Sequence, residues 1–245
     1  MSAPVFLADS GLLRPGPVVL DGPEGRHAVS VRRLRPGEEV VLTDGAGTGA
    51  YGSVTAAEGK DRLTVDVREV RHEPEPRPSL TVVQALPKGD RGELAVETMT
   101  ETGVDAVVPW AASRAVTRWK GERAAKALAK WRNTAREAGK QARRLRFPEV
   151  TELASSRRVA ELLESADFAG VLHEEGSTPL ATAELPVAGE IVLVVGPEGG
   201  VAPEELELFA EAGAAPFRLG PSVLRTSTAG TAAAAVVLAR CGRWS

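Results

Sequence analysis

The sequence is poor in the residues that build disulfide, metal and membrane proteins. One cysteine, Cys241, excludes an internal disulfide framework and fits a reducing compartment. The histidines (His27, His72, His173) lie far apart, with no cysteine or histidine at ligand spacing, so no metal site is expected. No run approaches the roughly 20 apolar residues of a membrane span, and no membrane partner is expected. The start, MSAPVFLADSGLL, has neither a basic opening nor a sustained apolar stretch and does not read as a signal peptide, which points to the cytoplasm. A formal net charge of −3 gives no average bias toward polyanions. The chain does have 43% hydrophobic and 26% charged residues over 245 positions, enough for one large or two modest soluble domains.

Residues 1–72 have β character. EEVVLTD, AYGSVTAA and DRLTVDVREV are Val- and Thr-rich segments separated by GAGTG and EGKD, a pattern of short strands in a small barrel or sandwich. RHEPEPRPS, with prolines at 74, 76 and 78, marks the boundary. From 73 to 245, strands alternate with helices. LTVVQAL, DAVVPW, FAGVLH, EIVLVV and PFRL are strands; GELAVETMTETG, a long segment from about Gly121 to Arg146, VAELLESA, PEELELFAEAG and TSTAGTAAAAVVLARC are helices. This alternation argues for a mostly parallel sheet covered on both faces.

Gly47-Thr48-Gly49-Ala50-Tyr51-Gly52 spells the dinucleotide fingerprint, but the strand-like SVTAA follows it instead of a helix, so a hairpin turn is expected. The segment from Arg114 to Arg146 carries ten further cations, among them Lys140, Arg143 and Arg144, against two acids, Glu122 and Glu137. Ala124, Ala127, Leu128, Trp131, Ala135, Ala138, Ala142 and Leu145 recur at helical steps as one buried stripe, leaving the cations the remaining surface. Such a one-sided face either is merely solvated or meets a nucleic acid, which would relieve its repulsion. Arg26, Arg32, Arg33 and Arg35 around His27 form a second cluster.

VVGPEGGVAPEEL joins an apolar strand to an acidic helix start through Gly196, Gly199 and Gly200. Glu198 opposes phosphate, and no Lys-Ser/Thr follows. A second loop, RLGPSVLRTSTAG, precedes the last helix, where Thr226, Ser227 and Thr228 are candidate caps. Two such loops at neighbouring strand ends either are structural turns or form a main-chain-lined cleft for an adenosine.

Together these segments resemble the RsmE family of SPOUT-class RNA methyltransferases. HAVSVRRLRPGEEVVLTDGAG is similar to its N-terminal PUA-like β domain, QALPKGDRGELAVETMTETGVDAVVPW to the start of its catalytic domain, and AREAGKQARRLRFPEV to its helix carrying Glu-Ala and Gln-x-x-Arg. VVGPEGG and LGPSVLRTSTA are similar to its two cofactor loops. The chain departs from the family at Val31-Arg32-Arg33, usually Val-Leu-Arg, and at Ser227, usually Glu. It also has Ala202 where the family has a capping Ser or Thr, a loss of about 1 kcal/mol.

The resemblance implies an α/β protein with a PUA-like β-barrel over 1–72 and a SPOUT domain with a deep trefoil knot over 73–245, acting as a homodimer. It implies S-adenosyl-L-methionine as cofactor and N3 of a uridine in 16S ribosomal RNA of the small subunit as the target. Carried over by position, the cofactor residues are Leu172, Gly196, Glu198, Gly199, Gly200, Leu219, Gly220, Leu224, Thr226 and Thr228. The RNA-contacting residues are His27, Arg33, Lys88, Arg114, Lys140, Arg143 and Arg144. Arg225 is the candidate catalytic cation for the uracil anion, and Glu198 and His27 are candidate bases, Glu198 having a helix-capping role as its alternative. A ribose 2′-O-methyltransferase and a non-catalytic ribosome assembly factor are the competing functions.

Overall fold

The structure is a computed structural model that describes residues 3–244, and its chain forms two compact units. The first comprises the chain up to Glu75 together with Arg136–Phe147; the second comprises Pro76–Ala135 and the chain from Pro148 onward.

The first unit contains β1 (Val5–Leu7), β2 (Gly16–Leu20), α1 (Gly22–Arg26), which runs into a π-helical turn (His27–Val31), β3 (Glu39–Thr43), β4 (Thr48–Glu58) and β5 (Arg62–His72). The five strands lie in the order β1-β3-β4-β5-β2, antiparallel except for the β1–β3 pair. Alternation along β5 sends Leu63, Val65 and Val67 into a core with Phe6, Val18, Leu20, Val40, Leu42, Ala50 and Val54. The G-x-G-x-x-G stretch falls in the β3–β4 hairpin, Gly47 in the turn and the rest within β4, as its strand-like sequel implied. Gly52 faces a register shift where an added Cβ would lie 2.3 Å from the Asp66 carbonyl oxygen, so glycine there permits a close strand approach.

The second unit contains β6 (Ser79–Ala85), α2 (Arg91–Thr102), β7 (Ala106–Trp110), α3 (Glu122–Gln141), β8 (Glu149–Val150), α4 (Ser156–Ser165), β9 (Phe168–Leu172), β10 (Thr178–Pro179), β11 (Glu190–Val195), α5 (Pro203–Glu211), β12 (Ala215–Arg218) and α6 (Thr226–Arg240), with the last turns of α3 in the first unit. Its seven strands are parallel throughout, in the order β10-β12-β9-β11-β6-β7-β8. Both faces of the sheet are covered, which is why IVLVV is apolar without interruption. On one face Leu80, Val82, Ile191, Leu193 and Val195 pack with Met99 of α2 and Ala233 and Val237 of α6. On the other, Val83, Ala85, Val192 and Val194 pack with Val159 of α4 and Phe209 of α5. Gly103, at φ 110°, stops α2 where the sequence placed its end.

Three local expectations are corrected. The basic helix ends at Gln141, not near Arg146, because Arg143 turns left-handed (φ 58°). Its N–H and that of Arg144 bond back to the carbonyls of Lys140 and Gly139, a Schellman closure. Ala142 thereby leaves the helix and is exposed instead of joining the buried stripe. Helix α6 is capped at Arg225, whose carbonyl receives the N–H groups of Thr228 and Ala229; Thr226 and Ser227 are already helical and buried, and no side chain caps. Among the described residues no helix is long and apolar enough to cross a membrane.

Candidate active site

The C-terminal ends of β6, β9, β11 and β12 open onto one cleft, the place where parallel α/β sheets bind ligands. Its walls are the segments after β6 (88–91), after β9 (172–175), after β11 (195–203) and after β12 (217–229). Its volume is about 1700 Å³, more than the roughly 300–1,000 Å³ of a typical small-ligand pocket, leaving room for a cofactor and part of a second reactant.

All ten residues assigned to the cofactor line this cleft: Leu172, Gly196, Glu198, Gly199, Gly200, Leu219, Gly220, Leu224, Thr226 and Thr228. Arg225, Lys88 and Arg114 line it too. Leu172, Val195, Phe217, Leu219 and Leu224 supply apolar surface, and the glycines bring backbone to the edge. Gly200 has φ 72°, and a Cβ added to Gly200 or Gly220 would meet nothing within 4 Å, so the space beside both is open. Asp90, Glu174, Glu175 and Glu198 offset Lys88, Arg91, Arg114, Arg218 and Arg225 along the lining. Such mixed charge opposes a polyphosphate and suits a ligand that carries both signs.

Glu198 bonds across the cleft wall to a neighbouring loop. Its Oε1 accepts the Lys88 backbone N–H at 3.1 Å, which ties the loop after β11 to the loop after β6. It does not cap α5. Instead Glu205, three residues beyond the capless Ala202, accepts the Ala202 N–H at 3.3 Å, so the glutamate half of a capping box survives. Glu205 is also buried and accepts from Ser113 and Ser156. The sequence offers it only as a helix-start acid, because its other partners lie 92 and 49 residues away. The Arg225 guanidinium is exposed and makes no hydrogen bond or ion pair among the described residues. His173, Glu174, Glu175, Leu94 and Leu206 also line the cleft, and nothing in the sequence assigned them to a site.

The remaining residues assigned to RNA belong to the first unit. His27, Lys140 and Arg143 line a small pocket of about 50 Å³ with Phe6, Arg32 and Gln141. His27 stands edge-on to Phe6 at 5.7 Å, and Arg33, exposed, has a left-handed backbone (φ 56°). Arg144 is half-buried. Lys140 departs from expectation: its side chain is 4% exposed, with Glu24 at 2.7 Å and Glu137 at 2.9 Å, so it is not one of the surface cations. Among the described residues no cluster of His, Cys, Asp or Glu could hold a metal ion.

A family profile described as an RNA methyltransferase domain matches residues 73–238, and one described as an RNA methyltransferase PUA domain matches residues 20–68. The chain is 45% identical over 242 residues to the ribosomal RNA small subunit methyltransferase E of Mycobacterium tuberculosis, covering 97% of this chain and 90% of that protein. It is 29% identical over 218 residues to the protein of the same name from Bacillus subtilis, covering 86% of this chain and 85% of that one. The crystal structure of a ribosomal RNA small subunit methyltransferase E from Neisseria gonorrhoeae bound to S-adenosyl methionine is similar with a TM-score of 0.85 at 30% identity, covering 98% of each chain.

Proposed function

The chain belongs to the RNA methyltransferase family, and we propose that it moves a methyl group from S-adenosylmethionine to N3 of a uridine in the 16S RNA of the small ribosomal subunit. The observation that carries this reading is the convergence of the two glycine loops, 196–200 and 219–228, on a single cleft. When bound there, S-adenosylmethionine supplies a methyl group already activated by its sulfonium. The chain's own task is then to position, to exclude water and to handle one proton.

The apolar residues Leu172, Leu219 and Leu224 and the backbone of Gly196, Gly199, Gly200 and Gly220 would hold the adenosine. Uracil N3 must give its proton to a base or to water before the nitrogen can attack the methyl carbon. The sulfur would keep the electron pair of the broken bond as S-adenosylhomocysteine leaves. The unpaired Arg225 guanidinium, at the mouth of the second loop, would stabilise the uracil anion as it forms. Glu198, already engaged by the Lys88 N–H, holds the two loops together. The cations of the first unit, Arg32, Arg33 and Arg143, are exposed and would grip RNA phosphates.

The same reading includes a trefoil knot in the second unit and a homodimer. The knot is supported by the strand order β12-β9-β11-β6 and by the return of α6 from β12 onto α2 and β6, where an added Cβ at Gly230 would meet Met99 Sδ at 2.7 Å and Val82. A ribosomal substrate implies a cytoplasmic enzyme.

The test is methyl transfer from radiolabelled S-adenosylmethionine to small-subunit RNA and to assembled subunits, followed by nuclease digestion. Label in 3-methyluridine supports the proposal, and label in a ribose methyl assigns the 2′-oxygen instead. Absence of cofactor binding by calorimetry would leave an RNA-binding assembly factor.

A further inference from the structure

We propose that Glu205, outside the cleft, is a positioning residue that sets cofactor affinity through Ser113 and Arg114; this rests on the cofactor reading above. Glu205 is 5% exposed, and its carboxylate is filled by four donors. Oε1 accepts the Ser113 backbone N–H at 2.8 Å and the Ser156 hydroxyl at 2.7 Å. Oε2 accepts the Ser113 hydroxyl at 3.0 Å and the Ala202 N–H at 3.3 Å. Two of the four bonds thus go to Ser113, far more than a helix cap requires.

Ser113 fixes the next residue, and Arg114 touches the cofactor loop. A Cβ added to Gly199 would lie 3.2 Å from the Arg114 carbonyl oxygen and 3.3 Å from its Cβ, and Arg114 Nη1 donates to the Gly199 carbonyl at 3.4 Å. The segment is braced elsewhere too. Arg118 donates to the carbonyls of Ala112 and Ser113 at 2.6 Å each, and Thr117 Oγ1 donates to the Pro87 carbonyl at 2.7 Å. Lys88, next to Pro87, donates its N–H to Glu198, and the chain then runs from Glu198 through Gly199 to Ala202 and back to Glu205. Three loops therefore close into a ring whose buried anchor is Glu205 and whose far side is the cofactor loop. A charge-assisted anchor is the stronger kind, and removing it leaves buried donors unsatisfied.

The chemistry of a glutamine at this position makes the test specific. Its carbonyl can replace Oε1 and keep the Ser113 N–H, while its NH₂ faces the Ser113 hydroxyl, which can rotate to accept, and the Ala202 N–H, which cannot. Glu205→Gln should therefore keep S-adenosylmethionine affinity within about threefold, whereas Glu205→Ala should weaken it about tenfold or more in Kd and KM. The kcat at saturating cofactor should stay within about threefold of wild type. Ser156→Ala, which removes a bond to the same carboxylate without touching Ser113, should lower Tm and leave cofactor Kd unchanged. Should Glu205→Ala fail to fold, Ser113→Ala removes the hydroxyl bond to Oε2 from outside the cleft and should raise the Kd severalfold. Equal Kd values in wild type and the folded Glu205→Ala variant, or in wild type and Ser113→Ala, would overturn the proposal, as would a Ser156→Ala effect on Kd matching that of Glu205→Ala. Wild-type protein that binds no S-adenosylmethionine would refute the cofactor reading itself, a separate result.

Discussion

The Lys140 ammonium lies 2.7 Å from the Glu24 carboxylate, with 4% and 20% of the two side chains exposed. The other Glu24 oxygen accepts the Leu7 N–H at 3.1 Å, so the pair holds β1, α1 and the end of α3 together within the first unit. Lys140→Met should cost about 3 kcal/mol of that unit's stability, because it strands a carboxylate already drawn out of water. Urea unfolding should show the loss, and RNA affinity of the folded fraction should change little. A variant of wild-type stability with weakened RNA binding would return Lys140 to the interface.

Arg143 sits where a helix usually ends on glycine. Left-handed backbone costs a β-carbon-bearing residue about 1–2 kcal/mol, while glycine costs about 0.5–1 kcal/mol in chain entropy. Arg143→Gly should therefore stabilise the protein by about 0.5–1 kcal/mol. If the guanidinium grips phosphate, the same change should weaken RNA binding and lower the salt slope by about one unit. An unchanged slope would make this part of the basic segment only a solvated surface.

These two residues also mark how far the sequence can be read. The strands of the second unit were legible because a sheet buried on both faces writes uninterrupted apolar runs, as in IVLVV. The two glycine loops that line the cleft were legible because glycines directly after an apolar strand stand out in the sequence. The end of α3 was hidden, since ARRLR continues a favourable helical pattern and the left-handed turn falls on an arginine. The burial of Lys140 was hidden because Glu24 lies 116 residues away. Strands β1 and β2, of three and five residues, are too short for a period to show, and β2 contains Pro17.

Asp44 in the β3–β4 hairpin gives the first unit an acid dependence. Burial pushes its carboxyl pKa up, but hydrogen bonds from the Ala46 and Thr48 backbone N–H groups, at 2.8 and 3.1 Å, and from the Thr48 hydroxyl outweigh burial and hold it below the usual carboxylate range. A folded pKa below the unfolded one means the stabilisation is complete above the unfolded value of about 4 and is lost as pH falls through the folded value. Asp44→Ala should cost about 1 kcal/mol at neutral pH and flatten the stability profile below about pH 4. An acid limb identical to wild type would show that other carboxylates set it.

Glu198 and Arg225 face the same cleft, and one pair of variants separates holding a loop from doing chemistry. The Lys88 N–H needs only an acceptor, which the glutamine carbonyl provides, so Glu198→Gln should retain cofactor affinity and most turnover. Glu198→Ala should weaken cofactor binding severalfold, because it unties the two loops. If Glu198 were the base that takes the N3 proton, Glu198→Gln would instead lower kcat about 100-fold or more with Kd intact. If its guanidinium acts on charge that develops only during the reaction, as proposed, Arg225→Ala should give that second pattern, a loss in kcat of about 100-fold with S-adenosylmethionine affinity largely kept. Calorimetric Kd and single-turnover rates on the same preparations distinguish the cases, and a fully active Arg225→Ala protein would remove the arginine from the mechanism.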